Sequence, residues 1–175
     1  MRVKYLQAKI VNLYEGKERL GTGGAIIKII DELPEQFFLT YGDNFLRMNF
    51  LELENRFKSE DKKNILSVYK NDNKYDKSNI HFDEAKKDII KYEKNPKEEL
   101  SYIDYGISGW RREWLRTNKP EEEIFDFNHF IKTSIEQNNL LTFIAEKRFY
   151  EIGTPHTLEE FKDFYLREVK VLTHI

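Results

Sequence analysis

Two linked features near the start of the sequence limit the folds that this chain can adopt. Residues 20–25 (LGTGGA) place three glycines within four positions, directly before a helical pattern. Glycines let a backbone come close to a flat ligand, because no side chain obstructs the approach. The apolar run Gln36–Thr40, typical of a buried parallel strand, is followed by residues 41–44 (YGDN). A strand that ends in Gly-Asp places a carboxylate at the edge of a sheet where α/β proteins bind ligands.

The composition is that of one globular domain. The 175 residues, 34% charged and 14% aromatic, are enough for a core, so we expect a single domain over residues 1–175. The net charge of −2 gives no basic footprint, and nucleic acid is not an expected partner. No apolar run approaches the roughly 20 residues of a membrane helix, and there is no cysteine for disulfide or thiolate chemistry. A cytoplasmic protein with no membrane partner is the simplest interpretation.

Strands and helices alternate along the chain, which predicts an α/β fold with a mostly parallel sheet flanked by helices. The predicted strands are 9–14, Gln36–Thr40, 64–69, 79–82, 89–93, 101–110, 141–145 and 148–151. The predicted helices are 25–30, 49–60, a short one from 112, 127–137 and one opened by a capping box at 157–160. The strands 79–82 and 89–93 form a small antiparallel excursion, and Gly106 and Gly109 predict a bulge or a close ligand approach.

Two acids at the ends of strands are candidate metal ligands. Asp43 follows the strand Gln36–Thr40, and Glu151 ends a late strand, before a Gly-Thr-Pro turn. Magnesium is usually held by one or two carboxylates, while phosphate and water oxygens fill its other positions. A structural role stays open for each residue. Asp43 is also suited to capping the next helix, and Glu151 to being an exposed acid at an ordinary strand-turn-helix junction.

With these motifs in this order, the sequence resembles the sugar-phosphate nucleotidyltransferases from about residue 9 to about residue 164. The glycine run resembles their nucleobase-binding loop, and 41–44 resembles their metal-binding turn. Residues 149–155 (FYEIGTP) resemble a late strand whose acid, usually aspartate, is the second metal ligand. The segments that follow the family order are 75–80 (YDKSNI), 90–94 (IKYEK) and 102–107 (YIDYGI). They are most similar to the bacterial branch that activates heptose, mannose or N-acetylmuramic acid 1-phosphate for polysaccharide biosynthesis.

The resemblance implies a Rossmann-like fold of the glycosyltransferase-A type and a role for each motif. Asp43 and Glu151 would hold Mg²⁺, and Asp43 and Lys94 would be catalytic. The other implied contacts are Leu20, Gly21, Thr22, Gly23 and Gly42 for the nucleotide, and Asn79, Glu93, Lys94, Asp104 and Gly106 for the sugar phosphate. Solvated charges at a strand end remain the alternative for Glu93 and Lys94. A polar strand edge remains the alternative for Asn79 and Asp104.

The implied reaction converts an NTP and a sugar 1-phosphate into an NDP-sugar and pyrophosphate. The family's triphosphate loop, of the form G-G-x-G-T-R-L, does not occur in the sequence. We therefore expect the chain to cover the C-terminal three quarters of the family fold, with a homo-oligomer or a completing partner chain covering exposed sheet edges. An inactive remnant that binds a nucleotide-sugar or a partner is one alternative. A glycosyltransferase of the same fold is another, disfavoured because the sequence has no D-x-D motif.

Overall fold

A computed structural model describes residues 11–14, 16–61 and 63–172 of the chain. The helices are α1 (Gly21–Lys28), α2 (Phe50–Lys58), α3 (Arg112–Thr117), α4 (Asn128–Glu136) and α5 (Pro155–Leu172), with a 3₁₀ turn at Ile30–Glu32. The strands are β1 (Gln36–Thr40), β2 (Asn44–Phe45), β3 (Asn64–Lys70), β4 (Ile80–Asp83), β5 (Asp88–Tyr92), β6 (Tyr102–Arg111), β7 (Leu140–Ala145) and β8 (Tyr150–Glu151). Within these ranges, no helix is both long and apolar enough to cross a membrane.

The main sheet has six strands and is built around β6. Its order is β5-β4-β6-β3-β7, and β1 also pairs with β6. The β3–β7 pairing is parallel, whereas β6 runs antiparallel to β1, β3 and β4. The α/β class, a sheet flanked by helices, is confirmed, but the strand directions are more mixed than the predicted mostly parallel sheet. The reason lies in the connections, because parallel neighbours need a crossover and no helix separates β3 from β6.

Two local predictions within this sheet are confirmed. Strands β4 and β5 form an antiparallel hairpin in which Asp83 lies opposite Asp88. Strand β6 bulges where its register with β3 shifts between Leu66 and Val68. Gly106 lies in this bulge with a φ of +90°, a backbone conformation that glycine adopts without the steric cost of a Cβ. The bulge bends β6 next to Asp104 and changes the direction of the side chains there.

Helices cover both faces of the sheet. Successive side chains of a strand point to opposite faces, so a strand with apolar side chains on both faces needs a helix on each side. In β3, Leu66 and Val68 belong to a cluster that contains Phe130 of α4, whereas Ile65 packs with Phe57 of α2. Each of these five side chains is at most 2% exposed. Burying a side chain of this size contributes about 1.5–3 kcal/mol to folding. The sheet is therefore fixed from both sides, which gives the turns at its edge a rigid support.

Capping groups fix the starts of two helices. Before α2, Asn49 Oδ1 accepts hydrogen bonds from two backbone N–H groups of the first turn, at 3.1 and 3.4 Å, which is the first half of the predicted capping box. Glu52 Oε1 accepts from the Asn49 side-chain amide at 2.7 Å. Helix α5 begins at Pro155, ahead of the box predicted at 157–160. Thr154 Oγ1 accepts from the Thr157 N–H at 3.2 Å, and proline is favoured at the first helical position. Residues 151–154 are therefore held between a strand and a capped helix.

The predictions for the first thirty residues need two corrections. Helix α1 begins at Gly21 and ends at Lys28, so the glycines lie inside the helix and not in a loop before it. Of the strand predicted at 9–14, residues 11–14 have no regular secondary structure, and residues 9 and 10 lie outside the described residues. Alternation of apolar side chains predicted that strand. A strand also needs a neighbour that accepts its hydrogen bonds, which the sequence pattern does not reveal.

Candidate functional site

The turn after β1 and the short strand β8 bring Asp43 and Glu151 together. Strands β2 and β8 pair antiparallel with Asn44 opposite Glu151, and the Ile152 N–H donates to Asp43 O at 2.8 Å. A Cβ placed on Gly153 would lie 2.9 Å from Asp43 Oδ2 and 3.2 Å from Glu151 Oε1. Because both oxygens lie close to one point, the two carboxylates are neighbours although they are far apart in the sequence.

This corner of the molecule is electrostatically unbalanced. The pKa of Glu151 is raised, first by desolvation and then by the charges of Asp43 and Asp76. Every charged neighbour that shifts this pKa is therefore an acid. A cation placed between the carboxylates would relieve their repulsion, since an opposite charge favours the ionised form. Asp76 is not among the predicted ligands, although it lies in the segment 75–80 that carries the family resemblance.

The two acids open into a cavity of about 420 Å³. Three more of the predicted residues lie in its wall: Asn79, Lys94 and Asp104. Lys77, which was not predicted, adds a second lysine to the wall. The wall thus combines carboxylates with two ammonium groups and the amides of three asparagines, Asn44, Asn79 and Asn95. Such a lining suits a ligand that carries anionic groups together with a divalent cation.

Asp104 is fixed in the wall by hydrogen bonds on both sides. Its backbone N–H donates to Asn79 Oδ1 at 3.0 Å, and its Oδ1 accepts from the Gly106 N–H at 2.9 Å. The side chain keeps partial contact with the cavity, but desolvation raises its pKa to about 6, against the opposing effect of the Gly106 bond. The charge of Asp104 is also the largest cause that raises the pKa of Tyr41. Tyr41 therefore stays a neutral phenol.

Glu93 and Lys94 turn to different surroundings. Lys94 lies in the cavity wall, and its Nζ is 2.7 Å from Asp126 Oδ2. Glu93 lies 2.5 Å from Lys91 Nζ and 2.9 Å from His81 Nε2, and these two groups lower its pKa to about 2. Glu93 is not in the cavity wall, so its contacts do not match the predicted role at the sugar phosphate. Successive side chains of an extended segment point to opposite faces, which explains the separation.

The glycines of α1 are covered by the chain itself. A Cβ on Gly23 would collide with the Phe125 ring, and a Cβ on Gly21 would collide with the Phe125 main chain. The N–H groups of Gly23 and Gly24 both donate to Phe125 O, at 2.9 and 3.3 Å. The space that we expected to be open for a flat ligand is therefore filled by residues 123–126. These glycines allow a close helix–segment contact, and this contact satisfies backbone donors at the start of α1.

A second cavity, of about 280 Å³, adjoins the first and shares Tyr41 and Asp104 with it. Its remaining wall is mainly apolar and includes Ala25, Ile26, Leu39, Ile107, Phe127 and Ile131. Thr22, Gly42 and Gly106 lie in this wall, whereas Leu20, Gly21 and Gly23 do not. A Cβ on Gly42 would meet nothing within 4 Å, while a Cβ on Gly106 would collide with the Asn44 amide. Sterically, Gly106 is required and Gly42 is not.

The sequence matches no protein-family model and no curated protein, but solved structures share its fold. HddC from Yersinia pseudotuberculosis gives a TM-score of 0.63 at 17% identity, covering 83% of this chain and 62% of that one. A Bacillus anthracis protein assigned as a glucose-1-phosphate thymidylyltransferase, crystallised with sucrose, gives 0.71 at 16% identity, covering 83% and 61%. The inositol-1-phosphate CTP transferase of T. maritima gives 0.62 at 18% identity, covering 79% and 58%.

These similarities show that the chain has the fold of sugar-phosphate nucleotidyltransferases. HddC has also been crystallised with GMP-PN. The chain spans between 58 and 62% of the length of the three proteins. At 16–18% identity, the fold is what the likeness establishes, and function has to be argued from the residues of this chain.

Proposed function

We propose that this chain carries the metal-binding corner and sugar-phosphate cavity of a sugar-1-phosphate nucleotidyltransferase. In this reaction an oxygen of the sugar phosphate attacks the α-phosphorus of an NTP. The new P–O bond forms as the bond to pyrophosphate breaks, which gives an NDP-sugar. The observation that carries the proposal is the meeting of Asp43 and Glu151 in the wall of one cavity, on a fold shared with such enzymes.

The two carboxylates fit Mg²⁺ by their chemistry. Both offer only oxygen atoms, which Mg²⁺ prefers, and substrate phosphates and water would complete its coordination. The raised pKa of Glu151, caused by burial and by neighbouring acids, favours a compensating cation at this place. Bound there, the ion would neutralise negative charge that develops on the α-phosphate. Asp43 and Glu151 are the residues that would hold it.

The sugar phosphate would lie along the rest of the larger cavity. Lys94 would contact its phosphate as a compact positive charge, exchanging the carboxylate of Asp126 for a phosphate oxygen. Asn79 and Asp104 are fixed to each other and offer hydrogen-bonding groups to sugar hydroxyls. A phosphate monoester is already anionic near neutral pH, so the attacking oxygen does not need a strong base.

The nucleoside would enter through the smaller cavity. Its apolar wall suits the faces of a nucleobase, and Thr22 and Gly42 lie in that wall. Tyr41 is shared by the two cavities, so a ligand that extends past it would bring its phosphates towards Asp43. Leu20, Gly21 and Gly23 would contribute by holding α1 against Phe125 and not by contacting the base.

Pyrophosphate release tests the proposal. The protein is incubated with each NTP, Mg²⁺ and a panel of sugar 1-phosphates, and the same reactions are run with Asp43→Asn. We expect release by the wild type and its loss in Asp43→Asn. Asp163→Asn, which changes an exposed aspartate on α5, is the matched control and is expected to behave as the wild type.

The same samples separate the alternatives. Binding of an NDP-sugar without any pyrophosphate release would favour the inactive binding protein. Transfer of sugar from an NDP-sugar to an acceptor would favour the glycosyltransferase. Release that persists in Asp43→Asn would contradict the role of this carboxylate.

A further inference from the structure

Outside the two cavities, a histidine and two glutamates meet beside the β4–β5 hairpin. One nitrogen of His81 and one oxygen each of Glu93 and Glu98 all lie within 4.8 Å of one another. His81 Nε2 is 2.9 Å from Glu93 Oε2 and 3.6 Å from Glu98 Oε1. Within the part of the chain that the structure describes, no other group of three or more His, Asp or Glu side chains is this close. We call these three residues the hairpin cluster.

The backbone holds two members of the hairpin cluster in place. His81 on β4 lies opposite Lys91 on β5, and the Glu93 N–H donates to Asn79 O at 2.8 Å. The side chains of His81 and Glu93 are only 20% and 28% exposed, whereas Glu98 is 66% exposed. Two of the three side chains are therefore partly buried, His81 on β4 and Glu93 directly after β5, and Glu98 reaches them from the segment that follows. A site supported by strands keeps its geometry better than one built on loops.

The two oxygens of the Glu93 carboxylate have different neighbours, and one of them faces the other members of the hairpin cluster. Lys91 Nζ contacts Oε1 at 2.5 Å, while Oε2 faces His81. A metal held by Oε2 would not have to displace the lysine. Lys91 would act from outside the coordination sphere, orienting the carboxylate as hydrogen-bonded partners of metal ligands usually do.

We propose that the hairpin cluster binds a divalent transition metal of the zinc class. One imidazole nitrogen and two carboxylate oxygens form a ligand set that Zn²⁺ accepts, and three protein ligands leave a position for water or another ligand. Imidazole does not suit Mg²⁺, which takes oxygen ligands. The hairpin cluster and the Asp43–Glu151 pair therefore select different ions.

Calorimetric titration with Zn²⁺ in excess Mg²⁺ tests this site, with the absorption bands of Co²⁺ as a second probe of nitrogen coordination. The wild type is expected to bind one equivalent of Zn²⁺. His81→Ala and Glu98→Gln are expected to weaken binding at least about tenfold. His156→Ala, which removes an exposed histidine of α5, is the control and should leave the affinity unchanged.

Two further variants keep the result interpretable. His81→Gln preserves a group that can hydrogen bond to Glu93, so its thermal unfolding temperature should match that of the wild type while Zn²⁺ affinity falls as in His81→Ala. Asp43→Asn should bind Zn²⁺ as the wild type does, whether or not nucleotidyl transfer is found. Equal Zn²⁺ affinity in the wild type and both His81 variants would overturn the proposal. A loss of Zn²⁺ binding in Asp43→Asn would overturn it as well, since it would move the metal to the other pair.

Discussion

The glycine helix α1 and the acidic turn at Asp43 belong to one predicted binding motif, yet they meet opposite surroundings in the structure. The glycines are covered, because Phe125 fills the space beside Gly21 and Gly23. The turn is open, because Asp43 and Glu151 face a cavity of about 420 Å³. Three glycines in a row of six residues indicate a close approach by something. Whether that partner is a ligand or the chain itself depends on contacts between distant segments.

Alanine substitutions at Gly23 and Gly42 compare the covered region with the open one, and we expect them to give the largest difference in stability. In Gly23→Ala the new methyl group would collide with the Phe125 ring, whereas in Gly42→Ala it would meet nothing within 4 Å. We expect Gly23→Ala to lower the free energy of unfolding by about 1–3 kcal/mol, the usual cost of overpacking. Gly42→Ala should change it by less than about 0.5 kcal/mol. Urea denaturation of both variants beside the wild type measures the difference.

Equal costs for the two variants would show that Phe125 yields easily, and the covered state of α1 would lose its support. A Gly23→Ala protein with unchanged stability but weaker nucleotide binding would restore the original expectation of an open backbone. The comparison between the two regions would then no longer hold.

The pH dependence of stability at Asp104 measures how strongly this carboxylate in the cavity wall is desolvated. Its folded pKa of about 6 lies above the ordinary aspartate value of about 3.9, so between these pH values the folded state binds more protons than the unfolded state. The free energy of unfolding therefore falls as pH rises through this window, and Asp104→Asn removes that loss. Relative to the wild type, we expect Asp104→Asn to gain about 1–3 kcal/mol between pH 4 and pH 8. Partial solvent exposure of the Asp104 side chain screens its charge and reduces this gain.

Denaturation of both proteins at a series of pH values measures this gain. Subtracting the wild-type curve removes the titration of all other groups. Asp163→Asn is the control, because replacing an exposed aspartate should change the free energy of unfolding by nearly the same amount at every pH. If the difference in free energy of unfolding between Asp104→Asn and the wild type did not vary with pH, the claim that burial raises the pKa of Asp104 would be contradicted. The amide can still accept the Gly106 hydrogen bond, so lost packing is not the cause of the expected change.

The smallest effect concerns the segment that joins the two regions. Residues 123–126 cover the glycines through Phe125 and reach the cavity through Asp126, which pairs with Lys94. Asp126→Asn frees the lysine, so we expect affinity for a sugar 1-phosphate to rise about 1.4- to fivefold, which corresponds to an exposed ion pair worth about 0.2–1 kcal/mol. Calorimetry measures the affinity. Glu54→Gln, which breaks an exposed pair with Lys58 on α2, is the control, and weaker binding in Asp126→Asn would contradict the competition.

Local patterns predicted the elements whose formation depends on neighbouring residues. The bounds of β1, the β4–β5 hairpin and the Asn49 cap follow from a continuous apolar run, from two short strands around a turn and from side chains within a few residues. The expectation that β1 is a buried parallel strand was wrong, because β1 pairs antiparallel with β6 and its residues alternate between exposed and partly buried. The start of α1 did not follow, because its donors are satisfied by Phe125, which is distant in sequence. The sequence predicted more parallel pairings than the sheet contains. Strand β6 runs antiparallel beside β3 because no crossover helix connects them.

The candidate site shows the same division. The meeting of Asp43 and Glu151 was predicted through ordered motifs at two strand ends. The separation of Glu93 from Lys94 was not predicted, because adjacency in the sequence does not reveal which face of a strand end each side chain takes. Asp126 and Phe125 were also missed. They follow an acidic run, 121–123, and nothing in that composition indicates contact with α1 and Lys94.

Calorimetric titration of a nucleoside triphosphate, with and without Mg²⁺, tests most directly whether Asp43 and Glu151 hold the ion that binds the substrate. In the wild type, Mg²⁺ should tighten nucleotide binding, and either Asp43→Asn or Glu151→Gln should abolish that tightening while unfolding transitions stay cooperative. Asp163→Asn should keep the full Mg²⁺ effect. An equal gain in affinity from Mg²⁺ in all four proteins would show that the two carboxylates do not hold the ion, and the proposed function would lose its basis.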